Sequence, residues 1–123
     1  MTALLVAAGG ALGALLRYLL ERAAVRRFRE RMPWGTLAAN LLGAAVLAFV
    51  FALEQRGLVA HEVLVFVGTG VCGALTTFSG FMGQVESRWR HRATRRLAAG
   101  YLLTSLALGL LLLSLVLAVA LPR

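Results

Sequence analysis

Residues 63–85 read VLVFVGTGVCGALTTFSGFMGQV, 23 residues between Glu62 and Glu86 without a charge. At about 1.5 Å per residue a helix of that length crosses the hydrocarbon of a bilayer, for which about 20 apolar residues suffice. The stretch is not an ordinary apolar helix, however. It holds the glycines Gly68, Gly70, Gly73, Gly80 and Gly83, and a hydroxyl cluster, Thr76, Thr77 and Ser79, interleaved with Phe78 and Phe81. Its midpoint is Ala74, so the cluster falls near the bilayer centre. Hydroxyl side chains compete for backbone hydrogen bonds. The pattern therefore predicts unwinding between Gly73 and Ser79, with main-chain carbonyls bared at the midplane, a common way of building an ion site in a membrane. Taken singly, each Thr or Ser is explained by a bond back to its own helix, and each glycine by tight packing.

Working outward, three more stretches are long enough to span. The first covers residues 1–20 with Arg17 as its only charge, the second is the 22 uncharged residues between Arg31 and Glu54, and the last is the 26 between Arg96 and Arg123. The expected architecture is an all-α membrane protein whose four spans, about residues 2–20, 33–53, 63–85 and 97–121, take up most of the 123-residue chain as a single unit. A composition 60% hydrophobic and 15% charged agrees, as does a mean hydropathy of +0.83. The first stretch lacks basic residues ahead of its apolar run and carries Gly9, Gly10 and Gly13 inside it, so it reads as a retained helix rather than a cleaved signal. Gly9 and Gly13, and likewise Gly35, Ala39 and Gly43, form small-residue faces suited to close helix packing.

The net charge of +8 comes from thirteen arginines against five glutamates, with neither Lys nor Asp. A nucleic-acid binder spreads such charge over a polar surface, which this chain lacks, so no nucleic-acid partner is expected. The arginines are grouped instead. Arg22, Arg26, Arg27, Arg29 and Arg31 lie in the first loop and Arg88, Arg90, Arg92, Arg95 and Arg96 in the third; with Arg17, eleven fall on one side against two, Arg56 and Arg123, on the other. Basic loops stay cytoplasmic, which predicts that the first and third loops are inside and both termini outside. Residues 21–32 read as a basic amphipathic stretch at the headgroups, with Trp34 and Trp89 as interface anchors.

The single cysteine, Cys72, has no partner for a disulfide, and His61 and His91 are too far apart in sequence to suggest a metal cluster. No nucleophile and base pair can be assembled, so an enzyme is not expected. Polar residues inside spans are the functional candidates. Besides the hydroxyl cluster they are Asn40, with Thr36 one turn earlier on the same face, and Tyr101 and Ser105, four apart on the last helix, with Thr104 and Ser114 less clearly aligned. All five glutamates, Glu21, Glu30, Glu54, Glu62 and Glu86, sit at or beyond the span boundaries, which disfavours a proton-coupled exporter of small solutes. Neutral donors and aromatic ring edges, which carry the positive end of the ring quadrupole, suit a small anion. Arg17, near the basic mouth, is placed to attract one.

GGALGALLRY at Gly9 to Tyr18, WGTLAAN at Trp34 to Asn40 and GALTTFSGF at Gly73 to Phe81, together with Tyr101 and Ser105, resemble the CrcB/Fluc fluoride channels across all four spans. That resemblance implies a passive fluoride-specific channel of the bacterial plasma (inner) membrane, built as an antiparallel dual-topology dimer with two pores. It implies a structural Na+ at the dimer centre, held by the main-chain carbonyls of Gly73 and Thr76. Phe78 and Phe81 would present ring edges to fluoride, Asn40 would donate hydrogen bonds beside them, and Thr77, Ser79, Tyr101 and Ser105 would belong to the polar path. Arg17 matches the vestibule arginine. Fluoride that enters the cell as the neutral acid and dissociates inside would leave without ATP or a coupling ion.

Three positions depart from the family's TTFSTFS-x-E pattern, where Gly80 stands for threonine, Met82 for the second serine and Gln84 for the acidic residue. The lopsided loop charge adds an expectation of its own. A dimer of identical opposed subunits needs a chain that inserts both ways, so an eleven-to-two bias favours pairing with a homologous subunit of opposite bias over the homodimer. A second reading is a non-conducting subunit that completes the dimer while its partner supplies the pore.

Overall fold

The computed structural model describes residues 1–28 and 32–120; Arg29, Glu30, Arg31 and Arg123, counted above among the loop and terminal charges, lie outside the described residues. Four helical spans are long and apolar enough to cross a membrane, and no strand occurs among the described residues. Helix α1 (Thr2–Phe28) continues unbroken through Arg22, Arg26 and Arg27, so the basic stretch extends the first span instead of forming a separate element. Helix α2 (Trp34–Gln55) ends where Gly57, at φ 67°, turns the chain. There Leu58 N–H donates to the Leu53 carbonyl and Gly57 N–H to that of Glu54, a Schellman-type stop. His61 Nδ1, 3.2 Å from Glu54 Oε1, closes the same loop from its far end.

The third span is two helices. Its front half, α3 (residues 61–75), is wound through Leu64–Cys72 as a π-helix, and its rear half is α4 (Phe78–Trp89). Thr76 and Thr77 between them are extended, at φ −80°, ψ 150° and φ −147°, ψ 119°. The expected break is therefore present, but it sits at the two threonines, while Gly73–Leu75 remains helical. Helix α5 (Arg95–Ala120) follows a 3-10 turn at Arg92–Thr94.

The glycines decide where α1 sits. A Cβ on Gly13 would run into the Val71 carbonyl, and one on Gly9 into that of Phe66, so these two backbones approach as closely as they do only because side chains are missing. A Cβ on Gly35 would lie 2.6 Å from the Glu21 Cα, which joins α1 to α2 in the same manner. Without a hydrophobic force between helices in lipid, such close approach is a main source of van der Waals attraction. At the other end of the bundle Leu37, Phe81, Val85, Ala98 and Tyr101 form a buried cluster that ties α2, α4 and α5 together.

Candidate functional site

Two extended residues in a membrane helix leave peptide groups without helical partners, and each buried orphan costs several kcal/mol. Asn40 on α2 meets that demand. Its Oδ1 accepts from the Thr77 N–H at 2.8 Å and its Nδ2 donates to the Thr77 carbonyl at 3.3 Å, so one amide satisfies the whole peptide residue at the break. The threonine side chains do the rest. Thr76 bonds the Cys72 carbonyl twice, through N–H at 3.0 Å and Oγ1 at 2.9 Å, which completes α3. Thr77 Oγ1 accepts from Gly80 N–H at 3.1 Å and so caps α4, with Ser79 Oγ 3.4 Å away.

These bonds divert the two donors that a continuous helix would send to the carbonyls of Gly73 and Thr76. Thr77 N–H goes to Asn40 and Gly80 N–H goes to the Thr77 side chain. Both carbonyls are left to accept from elsewhere, and Gly73 is exposed. Neutral carbonyl oxygens suit a hard cation, so the donor set fits the sodium that the sequence resemblance implies.

Beside the break lies a small cavity of about 150 Å³, lined by Leu37, Asn40, Leu41, Phe78, Phe81, Ser105, Leu106 and Gly109. It joins residues from α2, α4 and α5 that are up to 72 positions apart, Leu37 and Gly109 being the extremes. The Ser105 hydroxyl is buried and makes no hydrogen bond of good geometry, its polar neighbour being the Tyr101 hydroxyl. The Asn40 amide nitrogen has a second hydrogen beyond the one given to Thr77. Phe78 and Phe81 lie 6.3 Å apart at 45°, and Phe81 and Tyr101 5.3 Å apart at 47°, tilted geometries that turn ring edges toward neighbours. Phe81 is 4% exposed but Phe78 is 75% exposed, so the second ring stands on an open flank of the subunit.

From Tyr101 the polar groups continue toward the basic loops. The Tyr101 hydroxyl donates to Gln84 Oε1 at 3.3 Å, and Gln84 Nε2 donates to Thr36 Oγ1 at 2.8 Å. Thr36, only 1% exposed, and Gln84 then border a second cavity of about 140 Å³ that also holds Glu21. Gln84 was not among the candidates expected from the sequence, and Thr36 was named only as the neighbour of Asn40 and given no role. Thr36 was detectable through its shared face with Asn40, and Gln84 as the amide at the family's acidic position. An amide there accepts with one end and donates with the other, whereas a carboxylate only accepts.

The expected site residues thus separate into groups. Asn40, Phe78, Phe81 and Ser105 meet at one cavity, Tyr101 packs on it, and Thr77 and Ser79 build the helix start beneath it. Thr104 and Ser114 are exposed. Arg17 is half-buried on the α1 stripe that begins with Gly9 and Gly13, and it borders neither cavity.

A bundle of four spans, with its third broken beside a small and mostly apolar cavity that carries the Asn40 amide and the Ser105 hydroxyl, defines a small multi-pass membrane protein. The chain belongs to the CrcB-like protein family, Camphor Resistance (CrcB), which it matches over residues 4–117. Similar proteins include one named Fluoride-specific ion channel FluC of Shewanella frigidimarina (strain NCIMB 400), 46% identical over 95 residues, 73% of this chain and 76% of that protein. Another of the same name, from Mesorhizobium japonicum (strain LMG 29417 / CECT 9101 / MAFF 303099), is 40% identical over 121 residues, 97% of either chain.

Proposed function

We propose that this chain is a pore-forming subunit of a fluoride-specific channel that lets cytoplasmic fluoride leave the cell passively. The observation that carries this reading is the cavity at the break: a buried Ser105 hydroxyl with no hydrogen bond of good geometry, a spare Asn40 N–H and tilted phenylalanine rings, with no carboxylate among its lining residues. A small anion taken out of water loses a large hydration energy, which only converging donors and positive ring edges replace. Tyr101, Gln84 and Thr36 extend hydrogen-bonding groups from this cavity to the one at the basic loops, so an ion exchanges partners stepwise. The cavity at the break has no carboxylate in its lining, and Glu21 borders only the second cavity, so no titratable acid stands at the centre of the path to couple movement to a proton. The fluoride names of the relatives supply the identity of the anion.

Completion of the pore falls to a second, oppositely oriented subunit. The exposed Phe78 ring, with the exposed Ser79 and Gly73 around it, forms a flank that lipid tails cannot hydrogen-bond. A facing copy of the same break would bring four carbonyls, Gly73 and Thr76 from each subunit, around one Na+. The skewed arginine distribution supports cytoplasmic first and third loops, external termini, and a homologous partner of opposite bias in preference to a homodimer.

Fluoride efflux from proteoliposomes, followed with a fluoride electrode, tests the function. Wild type should release fluoride and retain chloride, and Phe78→Ala with Phe81→Ala should abolish the release. Efflux unchanged by the double substitution would make this chain the non-conducting member of its dimer, and absence of fluoride release from wild type would refute the reading.

A further inference from the structure

The arginines around the third loop are not equivalent. Arg90 is committed to Glu86 at 2.7 Å, and Arg95 Nε donates to the Trp89 carbonyl at 3.0 Å. Arg92 and Arg96 are exposed. Arg88 differs from all of them. It is half-buried, and its Nη1 donates to the Gln84 carbonyl at 3.1 Å, the residue whose side chain bridges Tyr101 and Thr36. Its main chain is held as well, because Thr94 Oγ1 donates to the Arg88 carbonyl at 2.6 Å. Arg88 is thus tied through its side chain to α4 and through its carbonyl to the turn that joins α4 to α5.

We infer that Arg88 is a positioning residue for the anion: a fixed guanidinium at the loop end of the Thr36–Gln84–Tyr101 chain that concentrates fluoride at the start of the polar path. This rests on the fluoride reading above. A guanidinium offers five N–H donors, and one of them is used on Gln84, so its charge is anchored without being neutralised. No carboxylate forms a salt bridge with it among the described residues. Glu86, the acidic residue nearest in sequence, is turned to Arg90. A cation held at a low-dielectric mouth raises the local concentration of a counter-ion, and salt erases that effect where the mouth is wet. The competing role for Arg88 is purely structural, since a cation near a helix C-terminus satisfies late carbonyls and the macrodipole. That role predicts no particular salt dependence of flux.

The distinguishing experiment measures initial fluoride efflux from proteoliposomes of the full chain at low fluoride, in low and in high background salt. R88Q should lower the low-salt rate about tenfold, the scale of electrostatic concentration at a charged cleft. In about 1 M salt, where the Debye length is about 3 Å, its rate should come within about twofold of wild type. R88K should recover most of the low-salt rate, and R92Q, on the exposed arm of the same turn, should match wild type. R88M, which keeps the apolar stem, serves as a second neutral variant, and whichever of the two elutes as folded protein decides the outcome. A neutral variant equal to wild type in low salt, or a deficit that salt leaves unchanged, overturns the inference about Arg88 alone. Wild type without fluoride efflux instead overturns the function on which it rests.

Discussion

The two halves of the third span solve the same problem, a membrane helix in close company, by opposite means. The front half, α3, presents Gly70 and Val71 to Gly9 and Gly13 of α1, so that backbone lies against backbone. The rear half, α4, meets α2 and α5 through Gln84, Phe81 and Val85, with an amide bridge and tilted rings in place of bare backbone. The first contact leaves no room for an ion, whereas the second borders a small cavity that holds the Asn40 amide and the Ser105 hydroxyl. Closeness and polarity are thus separated along one span, and the break at Thr76 and Thr77 is the border between them.

The sharpest way to break this contrast is to give the front half a side chain. Gly13→Val puts a branched group into the Val71 carbonyl, where only backbone can yield, and should prevent recovery of a monodisperse protein in mild detergent; an intact elution peak would show that α1 can move away. Next in size is Asn40→Ala, which strips the Thr77 peptide of both partners. It should destabilise the fold by roughly 3 kcal/mol or more and lower fluoride efflux more than tenfold. Thermal unfolding followed beside flux separates the two effects.

The phenylalanines sharpen the comparison within the rear half. Phe81→Ala empties a buried position and should cost about 3–5 kcal/mol, whereas Phe78→Ala, on the open flank, should change subunit stability by less than about 1 kcal/mol. Both should still reduce efflux, which would dissociate conduction from packing. Smaller again is Gln84→Glu. A carboxylate keeps the acceptor for Tyr101 but, once ionised, loses the donor for Thr36. Because the family's pattern carries an acidic residue at this position, efflux by this variant should persist, and the lost Thr36 bond should show as a lowered unfolding temperature. Thr36→Val should be the mildest, at about 1 kcal/mol for one hydrogen bond.

Much of this was legible in the residues. Charge spacing located four spans, and the glycine and hydroxyl pattern of residues 63–85 located a break in the third, because both follow from local chemistry. Which residues unwind was less legible. The sequence placed the unwinding between Gly73 and Ser79, and the extended residues Thr76 and Thr77 lie inside that range; which residues of the range unwind was decided by Asn40, 37 positions away, which bonds the Thr77 peptide. Gln84 read as a departure from the family's pattern, and only its place between Tyr101 and Thr36 shows that an amide completes the chain. Arg17 and Arg88 both stand outside the two cavities, and what distinguishes them is that the Arg88 guanidinium bonds the main-chain carbonyl of Gln84.

The sequence by itself therefore determined the environment of each segment, whether lipid, headgroup or loop, because transfer energies and helical period are properties of a stretch. The tertiary structure decided which polar groups are spent and which remain. Asn40 gives its amide oxygen and one of its two N–H groups to Thr77, Arg90 is taken by Glu86, and the second Asn40 N–H and the Ser105 hydroxyl are left over beside a cavity. Hydrogen-bond capacity is settled between helices, and what remains after that settlement is what an ion can use.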